Sequence, residues 1–145
     1  MFKVDVDSLS AYLAFDPARK PELLKLDGAI RRSAPNLARH FHRGTPAGEP
    51  GMRFKMIGYG RSSYLANNGQ CVAWPALGVA LQKNYISVYV SVRRNGRPIV
   101  PRHARRLGAL RTAEHNFSFV RFDDLDATAF SALVIEVGEA FRSLV

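Results

Sequence analysis

Tyr59, Tyr64, Trp74, Tyr85 and Tyr89 fall within one stretch of the chain, with Lys83 among them. Aromatic rings beside a single cation suit a small anionic or polar ligand, because ring faces supply stacking surface and the ammonium supplies charge. These six residues can meet only if Tyr85 and Tyr89 share one side of a strand, opposite Ile86 and Val88, under a roof of long loops. The plainer alternative is a second small core beneath the loop from Arg43 to Gly51, in which the tyrosine hydroxyls find backbone partners.

His40 and His42 would present two imidazoles on one face if their segment is extended, enough for two ligands to zinc, copper or iron. No third ligand is close in sequence, since His103 and His115 are distant, and surface histidines are the simpler reading. Carboxylates for a hard cation are equally sparse: Asp5 and Asp7 near the start, then Asp123, Asp124 and Asp126. Asp124 and Asp126 stand directly before an apolar helical pattern, where capping and the helix dipole account for them. Nucleophilic chemistry finds no support. No Gly-x-Ser-x-Gly, phosphate loop or dinucleotide fingerprint occurs, Ser62 and Ser63 lack His and Asp partners, and enzyme activity is not expected. Gly58-Tyr59-Gly60 is too short for a phosphate loop and reads as a bulge or tight turn with close backbone approach. The lone Cys71 permits no intrachain disulfide and reads as a small buried hydrophobe.

Charge is the strongest compositional signal. The chain carries +9, and from Gly51 to Ala113 there is no Asp or Glu, whereas Arg53, Lys55, Arg61, Lys83 and seven later arginines fall there. Within that stretch Arg93, Arg94, Arg97, Arg102, Arg105 and Arg106 form a candidate anion-binding surface. Such a potential concentrates phosphates and carboxylates, so nonspecific nucleic-acid association is a further possibility, without an aromatic ladder or recognition helix for base readout.

The elements that must position these residues follow from periodicity. Leu9, Tyr12 and Leu13 behind Asp7 and Ser8 predict a short helix, and Leu23, Leu26 and Ile30 predict a second that starts between Pro17 and Pro21 and ends near Ala34. Period-two alternation predicts strands at Leu77–Leu81, Tyr85–Val92 and Phe117–Phe122, with Ile86, Val88, Val90 and Val92 on one face. Asn67-Asn68-Gly69 and Asn95-Gly96 supply hairpin turns. His103 to Leu110 suits a short basic helix. Phe130, Leu133, Val134, Val137, Phe141 and Leu144 predict a long C-terminal helix. The expected fold is therefore α+β: an antiparallel sheet of five to six strands with helices gathered on one face, in one domain spanning 1–145. No apolar run is long enough to cross a membrane and the first residues lack a signal-peptide pattern, so a cytoplasmic protein is expected. No heptad or partner motif points to a particular oligomeric state.

Met56-Ile57-Gly58-Tyr59-Gly60, then Tyr64, Trp74-Pro75 and Lys83-Asn84-Tyr85-Ile86-Ser87-Val88-Tyr89, with Leu107-Gly108 and Asp124-Leu125-Asp126 further on, resemble the YdhG-like family of domains of unknown function. The resemblance covers roughly Asp7 to Phe141. It implies a frataxin-like layout, and for some relatives an intracellular iron-chaperone role. The chain departs from that pattern at Ala113-Glu114, where relatives usually carry Gly-Lys, and at Asn116. The expected function is a non-enzymatic binding domain for a small anionic or polar ligand near Lys83 and the tyrosines. The alternatives are iron binding through the family and nonspecific nucleic-acid association, and no cofactor is expected.

Overall fold

The computed structural model describes residues 2–45 and 53–144. Two helices come first, α1 (Leu9–Ala14) and α2 (Lys20–Ser33), followed by strands β1 (Arg39–His42), β2 (Met56–Leu65), β3 (Cys71–Leu81) and β4 (Ile86–Val90). A small hairpin, β5 (Arg93–Arg94) and β6 (Arg97–Pro98), leads through a 3₁₀ turn at Val100–Arg102 into α3 (Ala104–Leu107). The chain closes with β7 (Arg111–Thr112), β8 (Asn116–Phe119) and α4 (Ala127–Arg142). Six strands form one antiparallel sheet in the order β1-β2-β3-β4-β8-β7, and β5 and β6 form a separate pair. The α+β class and the helix-flanked antiparallel sheet are as the periodicity predicts.

Side-chain alternation decides which side of the sheet becomes core. Ile86 and Val88 of β4 face Phe119 and Phe117 of β8 on one neighbour, and Leu81 and Val79 of β3 on the other. All six are buried. Onto this face α2 lays Leu23, Leu26 and Ile30, and α4 lays Phe130, Leu133, Val134 and Val137, in one continuous core that includes Tyr12 of α1. Phe130 meets Phe117 edge-on at 6.2 Å and Phe122 at 5.6 Å. Each such side chain contributes about 1.5–3 kcal/mol through burial. The helix starts are fixed by side chains: Ser8 Oγ accepts from the Ala11 N–H at 3.1 Å, and Asp126 Oδ1 from the Ala129 N–H at 2.8 Å, each cap being worth about 1 kcal/mol.

Several expectations are corrected. Gly58-Tyr59-Gly60 is no turn: it lies inside β2, where the two glycines serve close approach. The His40 ring lies against Gly58, where any β-carbon would collide with it. Gly60, at φ +76°, donates to the Ala38 carbonyl at 2.9 Å, and a β-carbon there would stand 2.9 Å from Leu37 Cδ2. The basic helix is limited to α3, and Leu144 lies beyond α4, exposed. Cys71 is exposed at the start of β3 rather than buried. Of the predicted loop from Arg43 to Gly51, Arg43, Gly44 and Thr45 are irregular and the rest lies outside the described residues.

Both edges of the main sheet are short strands, four residues in β1 and two in β7. Arg61–Leu65 of β2 and Cys71–Pro75 of β3 pair with each other beyond the reach of β1 and β4, as a two-stranded arm. Among the described residues, no helix is long and apolar enough to cross a membrane.

Candidate functional site

The face of the sheet turned away from the core cluster is floored by small residues. One row across it runs His40, Gly58, Gly78, Tyr89 and Asn116, and a parallel row runs Ala80, Ser87, Ser118 and Arg111. Among the described residues no helical one belongs to the cluster on this side, in which Met56, Trp74 and Ala80 are buried with Phe54 and Tyr89 packed against them. Trp74 is its hub, with ring centroids 5.0 Å from His42, 5.7 Å from Phe54 and 5.9 Å from Tyr64. Phe54 in turn meets Tyr89 at 5.5 Å.

Beside this cluster lies a cleft of about 310 Å³, lined by residues that include Tyr85, Ser87, Tyr89, Arg111, Asn116 and Ser118. Among the described residues its lining holds no carboxylate. The Arg111 guanidinium stands 4.8 Å above the Tyr85 ring centroid and has no ion-pair partner among the described residues. The register explains its presence: Arg111 pairs with Ser118, which pairs with Ser87, so all three point to one side. The Ser87 and Ser118 hydroxyls lie 3.0 Å apart and buried. Burial also raises the Tyr89 phenol above its ordinary pKa. A second cleft of about 690 Å³ shares Tyr89 and runs to Phe2, Phe54, Lys55, Leu81 and Gln82. Lys55 there is already engaged, donating to the Val6 carbonyl at 2.7 Å with Asp7 at 3.6 Å.

The six residues expected to converge are separated into four places. Tyr85 and Tyr89 line the small cleft, whereas Tyr64 and Trp74 belong to the aromatic cluster. Tyr59 is on the other side of the sheet, because it follows Ile57 in phase and pairs with Leu77, both core residues. Lys83 lines neither cleft. The Arg19 guanidinium holds the carbonyls of Gln82 and Tyr85 at 2.5 and 3.1 Å, which draws this turn toward the start of α2 and leaves Lys83 exposed. Arg111 is thus the cation beside the tyrosines. A small aromatic cluster and a cleft lie side by side, while the loop expected to cover them falls mostly outside the described residues.

Asp27 escaped the sequence reading. It is buried in α2, where Oδ1 accepts the Tyr59 hydroxyl at 2.6 Å and Oδ2 accepts from Arg39 at 2.9 Å. A signal existed: Asp27 is four residues from Leu23 and one from Leu26, on the apolar stripe, and a carboxylate there demands partners.

His40 and His42 do share a face, as extension requires. Burial, reinforced by the nearby charges of His40 and Arg61, lowers the His42 pKa from 6.5 to about 4, and its Nε2 is buried without a hydrogen-bond partner among the described residues. Neutral His42 is therefore the form the fold accommodates. Its folded pKa lies below the unfolded one, so the His42 contribution to stability is complete above pH 6.5 and is lost as pH drops toward 4. Urea midpoints over this range should decline less steeply in His42→Gln; equal slopes would contradict this. The other histidines are engaged elsewhere, His103 with Glu136 at 2.8 Å and His115 with Arg93 at 3.1 Å. Of the acids, Asp123 pairs with Lys25 at 3.3 Å, Asp124 accepts from the Arg121 N–H, and Asp126 caps α4. No three His, Cys, Asp or Glu side chains converge among the described residues.

The six arginines of the expected anion-binding surface occupy the β5–β6 hairpin and the segment around α3, where two of them rest on carboxylates of α4: Arg94 on Glu139 at 3.6 Å and Arg102 on Glu136 at 3.3 Å. Comparison with family models, curated proteins and solved structures gives no match to this chain.

Proposed function

We propose that this protein binds a small anionic ligand, without catalysis, on the core-distal face of its sheet, in the cleft between Tyr85, Tyr89 and Arg111. The observation that carries this reading is Arg111. Its guanidinium is stacked on Tyr85 at 4.8 Å, faces a cleft lined by hydroxyl and amide groups, and has no carboxylate partner among the described residues. A guanidinium so oriented gives planar, bidentate recognition of phosphate or carboxylate at little entropic cost. The buried Ser87 and Ser118 hydroxyls and the Asn116 amide can complete the coordination of anionic oxygens. The resemblance to YdhG-like domains enters this reading as a kinship of fold. No observation favours the iron-binding alternative, because the carboxylates it would use serve as caps and ion-pair partners.

Inorganic pyrophosphate and citrate serve as probes. Saturation with a bound probe should raise the melting temperature, by about 3–5 °C for each kcal/mol of linkage. Arg111→Ala should weaken probe binding by about 10- to 100-fold, the loss of one charge-assisted contact, whereas Lys83→Met should leave it unchanged. Calorimetric titration of the three proteins decides the matter. Absence of binding by either probe, or full retention in Arg111→Ala, would overturn the proposal.

A further inference from the structure

The arginines on the β5–β6 hairpin and around α3 form a second surface, distinct from the cleft. Glu136 and Glu139 stand one helical turn apart on α4, and each holds one arginine, Arg102 and Arg94 respectively, from a different element. Glu136 also takes His103 at 2.8 Å. Arg93 is held by His115 at 3.1 Å and by the Gly96 carbonyl at 3.4 Å. These contacts fix the platform. Arg97 at the hairpin and Arg105 and Arg106 in α3 then project from it exposed, with no ion-pair partner among the described residues.

We infer that this ridge binds the phosphate backbone of a nucleic-acid strand, with Arg97, Arg105 and Arg106 as the phosphate contacts. Two features favour a polyphosphate over an acidic protein surface. Protein interfaces are centred on buried aromatic or aliphatic anchors, and no aromatic residue lies among these arginines in the sequence from Arg93 to Arg106. Arginine forks match phosphate oxygens bidentately and lose little freedom when their bases are already held. The same lack of aromatics removes base stacking, so binding should be indifferent to sequence.

The test is fluorescence polarisation of a labelled single-stranded oligonucleotide of about 20 nucleotides, long enough for one binding site. With three phosphates neutralised, the log–log salt slope should be about −2, so affinity falls roughly 15-fold between about 50 and 200 mM salt. The triple variant Arg97→Gln/Arg105→Gln/Arg106→Gln should lose at least about 10-fold in affinity at the lower salt, and Arg97→Gln or Arg105→Gln alone should each reduce the slope by about 0.7. The single variants keep the test decisive should the triple one fail to fold. Arg111→Ala should bind the oligonucleotide as the wild type does, which separates this surface from the cleft. The inference fails if the wild type shows no binding at low salt, if the arginine variants bind unchanged, if Arg111→Ala abolishes binding, or if polyglutamate competes as well as the oligonucleotide at equal charge.

Discussion

Asp27→Ala should lower the free energy of unfolding by about 3 kcal/mol, the low end of the cost of removing one member of a buried ion pair. Asp27 is the shared acceptor of a small network: the Tyr59 hydroxyl at 2.6 Å, Arg39 at 2.9 Å and Arg31 at 3.6 Å. Alanine strands the Tyr59 hydroxyl in the core without its acceptor and releases Arg39 from its carboxylate. The low end applies because the Arg39 side chain is 28% exposed and can turn to solvent. In melting temperature this amounts to roughly 10 °C. Tyr59→Phe should cost less, about 1–2 kcal/mol, because Asp27 keeps both arginines. In the double variant the two losses should not add, since both remove the same bond. Urea denaturation of the four proteins checks this, and a loss below about 1 kcal/mol for Asp27→Ala would show that the network does not stabilise the fold.

Alkaline pH should unfold the protein through two tyrosines. Burial raises the Tyr12 pKa from 10.0 to about 12, partly offset by the Leu81 N–H donated to its hydroxyl at 2.8 Å. Burial likewise raises Tyr59, reinforced by its hydrogen bond to Asp27 and that carboxylate's negative charge. Both folded pKa values lie above the unfolded value of 10.0. Below that pH both states keep their protons and stability is intact; above it the unfolded chain ionises first and gains. Each tyrosine then removes about 1.4 kcal/mol per pH unit, so the pair removes roughly 5 kcal/mol by about pH 12. That is comparable to the whole stability of many domains. Urea midpoints measured across this range, with tyrosinate absorbance followed in parallel, should show the steep decline, and Tyr12→Phe should roughly halve its slope. A flat profile would mean that the fold can solvate both phenolates.

The core-facing half of the fold was legible because each strand there carries its own phase: Ile86, Val88 and Val90 alternate with polar residues, and Phe130, Leu133, Val134 and Val137 recur at helical spacing. The site was less so, for reasons particular to its residues. Tyr59 sits between two glycines that suggest a turn, and once β2 is broken there its alternation from Ile57 is lost. Lys83 is two residues from Tyr85 in sequence, yet the turn that carries it is set by Arg19, a residue 64 positions away. Arg111 reaches Tyr85 only because β8 pairs between β4 and β7, and pairing among strands distant in sequence leaves no periodic trace. Asp27 is the exception, a charge on an apolar stripe whose meaning was open to reading.

The short edge strands bear on how the molecule behaves among its own copies. A sheet edge is unpaired backbone, able to accept a strand from any neighbouring chain. Here β1 and β7 offer four and two residues of it, and β7 contributes Arg111, whose charge resists stacking of like chains. Lateral growth of the sheet into a fibre therefore starts from almost nothing on either side. The arm formed by Arg61–Leu65 and Cys71–Pro75 is the exception, with more unpaired backbone along its flanks and Leu65 71% exposed. At high concentration, any sheet-to-sheet self-association of this protein would begin at the arm.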